Sequence, residues 1–235
     1  MTASIPPPLA CLPQWYAVTP VRRGDPGFGG RLPDGRVLPY ADGRVKTPEE
    51  RTGSPDLEDM MRVAYPRGPA RAVTDPRDEP GRARVEPLFD ATYGDHRGPL
   101  PMRRVRLGGG WVRVHPKIAP ALERVAARLA TLAQRSQPVA DAILHPAGGY
   151  NSRTIAGTGR TSAHAWGIAI DIDPRVSDYW KWQKGRPTWR SRIPQAVIDA
   201  FESEGFIWGG RWYHFDTMHF EHRPELLDAS CRPSS

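Results

Sequence analysis

Sixteen of the 26 prolines fall in the first hundred of 235 residues. Proline lacks a backbone N–H and holds φ near −65°, so it excludes long helices and interior strands from most of that stretch. Turn signals such as Pro33-Asp34-Gly35 and Asp42-Gly43 reinforce the break, and few periodic apolar runs separate them. Residues 1–100 therefore read as an irregular region that wraps or extends a core and does not fold alone. One short helix over Leu57 to Ala64 is the exception. The core is expected over residues 101–225, and residues 226–235 read as a tail.

From residue 103 the pattern sharpens. Val105, Leu107, Trp111, Val112 and Val114 surround Gly108-Gly109-Gly110 and predict a β-hairpin. Ile118, Leu122, Val125, Leu129 and Leu132 recur at helical spacing and predict an amphipathic helix, with Pro116 or Pro120 in its first turn. Ala142 to Leu144 is a candidate strand, followed by a loop from His145 to Arg160. Trp166 to Ile172 reads as a buried strand, Ile193 to Ser203 as a second helix, and Phe206–Trp208 and Thr217–Glu221 as short strands. That order predicts an α+β fold with a small, mainly antiparallel sheet and flanking helices.

Hydrophobic content of 39% against 25% charged residues suits a globular chain. No run approaches the ~20 apolar residues of a membrane span, and Met1 to Leu12 lacks the basic and apolar regions of a secretory leader. Cytoplasmic synthesis followed by release to the cell wall is the expectation. The net charge of +7 favours anionic surroundings, but the basic residues are scattered without a run of five, which argues against a nucleic-acid partner. Cys11 and Cys231, near opposite ends, make no disulfide framework and no CxxC pair, so a metal site must come from His and carboxylates.

Ser162-Ala-His164-Ala-Trp-Gly167-Ile-Ala-Ile-Asp171-Ile-Asp173 is followed by Asp216-Thr-Met-His219-Phe-Glu221. A catalytic zinc takes three protein ligands and leaves one position for water. His164, Asp171 and His219 are a candidate set if a turn at Gly167 folds His164 back. Asp173 shares a strand face with Asp171, so spacing does not separate them. Asp216 is placed as a general base that takes a proton from the attacking water and passes it to the leaving amine. Glu221 or His214 would be next in line. Ser162 lacks a nucleophile elbow and reads as a hydroxyl that orients a ligand or binds substrate. His214 is a candidate near the substrate. His222 lies on the opposite strand face from His219, His115 and His145 read as structural, and His96 as solvated. Trp180, Trp182 and Trp189 interleave with basic residues, as an exposed loop or a binding rim.

Gly149-Tyr150-Asn-Ser-Arg153 through Ser162-x-His164-x-x-Gly167-x-Ala169-x-Asp171, joined to Asp216-x-x-His219, resembles the D-alanyl-D-alanine metallopeptidases. That group includes vancomycin-resistance carboxypeptidases and phage L-alanyl-D-glutamate endopeptidases, with a zinc fold shared with lysostaphin-type enzymes and the hedgehog domain. The likeness covers about residues 105–223. It implies Zn2+ in a cleft on the sheet, held by His164, Asp171 and His219, the seven-residue step selecting Asp171 over Asp173. It implies Asp216 as base and an upstream arginine that steadies the tetrahedral intermediate. Arg153 matches that position best, although many members carry the arginine directly after Gly-Tyr; Arg160 is the runner-up. The implied substrate is a peptidoglycan stem peptide. Members with Asp before x-x-His tend to be endopeptidases, so that activity is favoured over a carboxypeptidase or dipeptidase. A non-catalytic, zinc-containing wall-binding module has no need of Asp216.

Overall fold

Gly108 turns the predicted hairpin with φ of +54°, and a side chain there or at Gly109 would collide with the carbonyls of Ile143 and Leu144. The turn therefore docks directly on the chain end that follows a neighbouring helix. The computed structural model describes residues 4–24, 27–155 and 158–232. The start of the Met1–Leu12 segment, and residues 156–157 of the 145–160 loop, lie outside them.

Three antiparallel sheets alternate with short helices in an α+β arrangement, as the element order predicts. The first sheet is β1 (Thr19–Arg22), β2 (Phe28–Arg31) and β3 (Val37–Pro39), in that order. The hairpin is β4 (Arg103–Leu107) and β5 (Gly110–Val114). The third sheet runs β6 (Ala169–Asp171), β8 (His219–His222), β7 (Phe206–Trp208).

The helices are α1 (Pro7–Cys11), α2 (Pro48–Gly53), α3 (Leu57–Met61), α4 (Glu86–Tyr93), α5 (Ala119–Ala133), α6 (Gln137–Ala142) and α7 (Gln195–Glu202). Helix α5 buries Leu122, Val125 and Leu129 against the inward hairpin residues Val105, Leu107, Val112 and Val114. Pro120 sits in its first turn, where its missing N–H costs little.

Two readings change. Ala142 to Leu144 is no strand: Pro138 starts α6, and Ile143 and Leu144 follow its end to receive the hairpin turn. Trp166 to Ile172 is not one strand either, because a 3-10 turn over Ala163–Trp166 precedes β6.

The first hundred residues hold more order than their prolines foretell. Helices α2 and α3 each begin with a capping box, Thr47 with Glu50 and Asp56 with Asp59. Lys46 is buried among Asp42, Asp56 and Asp59 at 2.8, 3.0 and 2.7 Å. Leu9, Leu12, Leu57, Met60, Leu88 and Phe89 share one core with Val125 and Phe220. The two cysteines, read as no framework, do pair: Cys11 and Cys231 form a disulfide that ties α1 to a 3-10 turn over Ala229–Cys231. Folding brings their Cα atoms to 5.3 Å across 220 residues of sequence, which no local pattern reveals.

Candidate metal centre and its cleft

The Gly167 turn delivers His164. Ser162 caps the 3-10 turn, its Oγ accepting the His164 N–H at 3.4 Å. Gly167 then adopts φ of +67°, and a Cβ there would strike Met102 Sδ and His115 N. Only glycine fits, and the chain doubles back so that His164 stands beside β6. Antiparallel pairing sets Asp171 directly opposite His219. The three residues of the seven-residue step and the downstream strand thus meet in one place.

The donor atoms gather at one point, each imidazole meeting a different oxygen of the Asp171 carboxylate. His164 Nε2 lies 3.2 Å from His219 Nδ1 and 3.2 Å from Asp171 Oδ2. His219 Nδ1 lies 3.1 Å from Asp171 Oδ1. A tetrahedral ion with bonds of about 2.0–2.1 Å spans ligand edges of roughly 3.3 Å, so these atoms are set for one. The other nitrogen of each imidazole is occupied. His164 Nδ1 donates to the Gly149 carbonyl at 2.6 Å, and His219 Nε2 to Glu221 Oε2 at 3.4 Å. Both hydrogen bonds leave the lone pair on the nitrogen inside the triangle, the arrangement that orients metal-binding histidines.

Electrostatics follow from burial and neighbours. Burial alone would raise the Asp171 carboxyl, but His164 and His219 hold it well below the usual carboxylate range. Burial pushes His219 down, yet hydrogen bonds to Asp171 and Glu221 outweigh it and bring the pKa up to about 9. Asp216 is pushed up to about 6 by burial and by the Asp171 charge, with His219, His164 and Arg82 pulling the other way. Its Oδ1 is buried and has no hydrogen-bond partner.

The remaining predicted residues divide. Arg153 is exposed; its carbonyl accepts from Ser162 N–H at 3.1 Å, while its guanidinium makes no hydrogen bond or ion pair among the described residues. Arg160 turns the other way, donating to the Arg82 carbonyl at 3.3 Å. His214 binds Glu79 through its backbone N–H at 2.8 Å and Nδ1 at 3.0 Å, and its ring lies against Trp180 at 4.6 Å. Arg160 and His214 line a cleft of about 1620 Å³ with Glu79, Arg82, Glu86 and Trp180. Asp173 is engaged with the His145 N–H at 3.0 Å and with Arg175 at 2.6 Å. His222 lies on the far side of β8, against Phe206.

His96 corrects an expectation. It is not solvated: Nδ1 binds Asp90 at 2.7 Å, Nε2 reaches Thr161 Oγ at 3.3 Å, and the ring packs on Trp166. Asp90, Asp95 and His96 also lie within metal-binding reach of one another, but Asp90 and His96 satisfy each other and Asp95 pairs with Arg97.

Sequence reasoning missed the layer behind His219. Glu221, considered only as a reserve base, is fully buried. Arg84 clasps it with two hydrogen bonds, one of them Nε to Oε1 at 2.7 Å, and Arg223 adds a contact at 3.3 Å. These arginines hold the Glu221 carboxyl far below its usual pKa although burial opposes them. Glu221 sits two residues after His219 and so on its face, a signal that was present. Arg84, 137 residues away, offered none.

Among the described residues no helix is long and apolar enough to cross a membrane. Residues 156–222 match the family model described as D-alanyl-D-alanine carboxypeptidase, a span that includes His164, Asp171, Asp216 and His219. No curated protein and no solved structure matches the chain. Residues 156–222, which bring together His164, Asp171 and His219, are thus similar to a D-alanyl-D-alanine carboxypeptidase family domain.

Proposed function

We propose that this chain is a zinc-dependent endopeptidase of peptidoglycan stem peptides, with His164, Asp171 and His219 as ligands and Asp216 as general base. The match of residues 156–222 to the D-alanyl-D-alanine carboxypeptidase family supports hydrolysis of peptidoglycan peptides. The observation that carries the proposal is the donor cluster, with contacts of 3.1–3.2 Å and both outward imidazole nitrogens already bonded. Two imidazoles and one carboxylate suit zinc and leave a fourth position open. Zinc, when bound, brings a water pKa toward about 7 and polarises the scissile carbonyl.

The protein's own groups supply the rest. Asp216 Oδ1, buried and without a partner, takes the proton of the attacking water and returns it to the leaving amine. Ser162 holds the His164 backbone and thereby the ring. Arg153, whose guanidinium has no partner among the described residues, closes on the substrate carbonyl where negative charge develops. Arg160 and His214 bind substrate in the cleft they line with Arg82 and Trp180.

Asp rather than Glu at 216 supports cleavage inside the stem; the family's description supports removal of a terminal D-alanine as the second reading. Zinc-loaded protein should release amino groups from purified peptidoglycan, and mass spectrometry of a defined stem pentapeptide should show internal fragments. Free D-alanine alone would replace the endopeptidase reading by the carboxypeptidase one. Full zinc occupancy with no new amino groups would defeat both.

A further inference from the structure

We propose that Arg82 and Arg160 form an anion subsite, placed beside the metal centre, that takes a carboxylate of the substrate peptide. Arg82 belongs to the turn-rich region and lies outside the family-matched residues 156–222. Its guanidinium rests over the Trp212 ring at 5.0 Å, and that ring lies 5.3 Å from the ring of His219. One aromatic side chain thus separates Arg82 from a residue of the metal triangle. The Arg82 charge also acts on Asp216 and on Tyr179, whose backbone pairs with Asp216.

Arg82 carries an unmet hydrogen-bonding need and no carboxylate in hydrogen-bond contact among the described residues. The Arg82 side chain is only 15% exposed, and its Nε is buried without a partner. Its one ion pair is with Glu79 at 3.6 Å, too long for a hydrogen bond. Glu79 meanwhile uses its Oε1 on His214. The guanidinium of half-buried Arg160 makes one hydrogen bond, to the Arg82 carbonyl, and no ion pair among the described residues. Glu86 lines the same cleft, but its Oε1 accepts from the Thr161 N–H.

The two neighbouring arginines show the contrast. Arg84 is clasped by Glu221, and Arg223 by Glu225 at 2.6 Å. Structural arginines here receive carboxylates; Arg82 and Arg160 face the cleft without one in hydrogen-bond contact. A part-buried cation with free donors is costly unless an anion arrives. A planar carboxylate accepts two parallel hydrogen bonds from a guanidinium, which a lysine does not reproduce. Stem peptides offer two sources, the terminal carboxylate and the α-carboxylate of the glutamate residue.

The subsite rests on the proposed peptide substrate, so its test separates binding from turnover. Calorimetric binding would use the zinc-loaded full chain in an Asp216→Asn background. The probes are three stem pentapeptides: unmodified, amidated at the C-terminus, and amidated at the glutamate α-carboxylate. One amidated peptide should bind about 10–100-fold more weakly than the unmodified one, the usual worth of a charge-assisted hydrogen bond. The amide that loses affinity names the carboxylate. Arg82→Gln should erase that preference, Arg160→Gln should reduce it, and Arg82→Lys, which keeps the charge over Trp212, should fall between. Zinc content and thermal melts would certify each variant as folded. Equal binding of all three peptides by the parent overturns the subsite, as does an Arg82→Gln variant that weakens all three alike. So does an Arg82→Gln variant with Asp216 intact whose kcat falls while binding is unchanged, which would make Arg82 a partner of the reacting atoms instead. A protein with Asp216 intact that discriminates but never hydrolyses defeats the endopeptidase reading and leaves the subsite standing.

Discussion

Strand β8 sets a histidine on each of its faces, and the two are treated in opposite ways. His219 and Glu221 point to the metal centre; Phe220 and His222 point into the core between Phe201 and Phe206. Both imidazoles are largely removed from water, and burial pushes both toward the neutral form. On the first face Asp171 and Glu221 reverse that push and bring the pKa to about 9. On the second no carboxylate answers, Arg124 adds to the effect, and the pKa falls to about 4. Burial alone therefore does not mark a functional histidine. The carboxylates beside it do, and Glu221 in turn needs Arg84 and Arg223, supplied from different parts of the chain.

Breaking the polar face should give the largest effects. His164→Ala removes one corner of the triangle; zinc content should collapse at low free metal and turnover on a stem peptide should fall to background. Elemental analysis showing full zinc in that variant would remove His164 from the ligand set. Asp216→Asn keeps the shape but not the base. It should retain zinc and lose about 10²–10⁴ in kcat. Near-normal turnover there would place the base elsewhere.

How much of this was readable beforehand depends on sequence distance. The hairpin, α5 and α7 were legible because hydrophobic spacing and glycine turns are local signals. So were the residues of the triangle, since Gly167 and the seven-residue step lie in one short segment and the third residue carries its own Asp-x-x-His. Ala142 to Leu144 misled because three apolar residues suit either period; Ser136-Gln137-Pro138 was the better clue, a helix start. The disulfide, the Arg84–Glu221 clasp and the stacking of Arg82 on Trp212 were not legible. Each joins residues separated by more than a hundred positions, and the turn-rich region that supplies two of the arginines carries no periodicity to show where it packs.

Glu221→Gln tests the layer behind the metal directly. The amide keeps the volume but cannot balance Arg84 and Arg223, and it weakens the hold on His219 Nε2. Zinc affinity should drop by about 10–100-fold, the usual effect of losing such a supporting partner. A zinc titration with a competing chelator would read it. Unchanged affinity would mean that Asp171 and the backbone orient His219 without help.

The smallest effect belongs to the apolar face and is a matter of pH. His222 has a folded pKa of about 4 against an unfolded value near 6.5, and its Nδ1 is buried without a partner. Between those values the unfolded chain binds a proton that the native chain refuses, so stability falls as pH falls. Above about pH 6.5 His222 contributes no such penalty; at pH 4.5 the loss should be about 2–3 kcal/mol. Phenylalanine sacrifices no hydrogen bond of the ring and cannot take the proton. His222→Phe should therefore unfold in urea like the parent at pH 7 and resist better than the parent at pH 4.5. Because the groups around the triangle titrate in both proteins, the difference between parent and variant isolates His222. Equal losses in the two on acidification would show that the ring escapes to water when it charges, and that the two faces of β8 differ less than their neighbours imply.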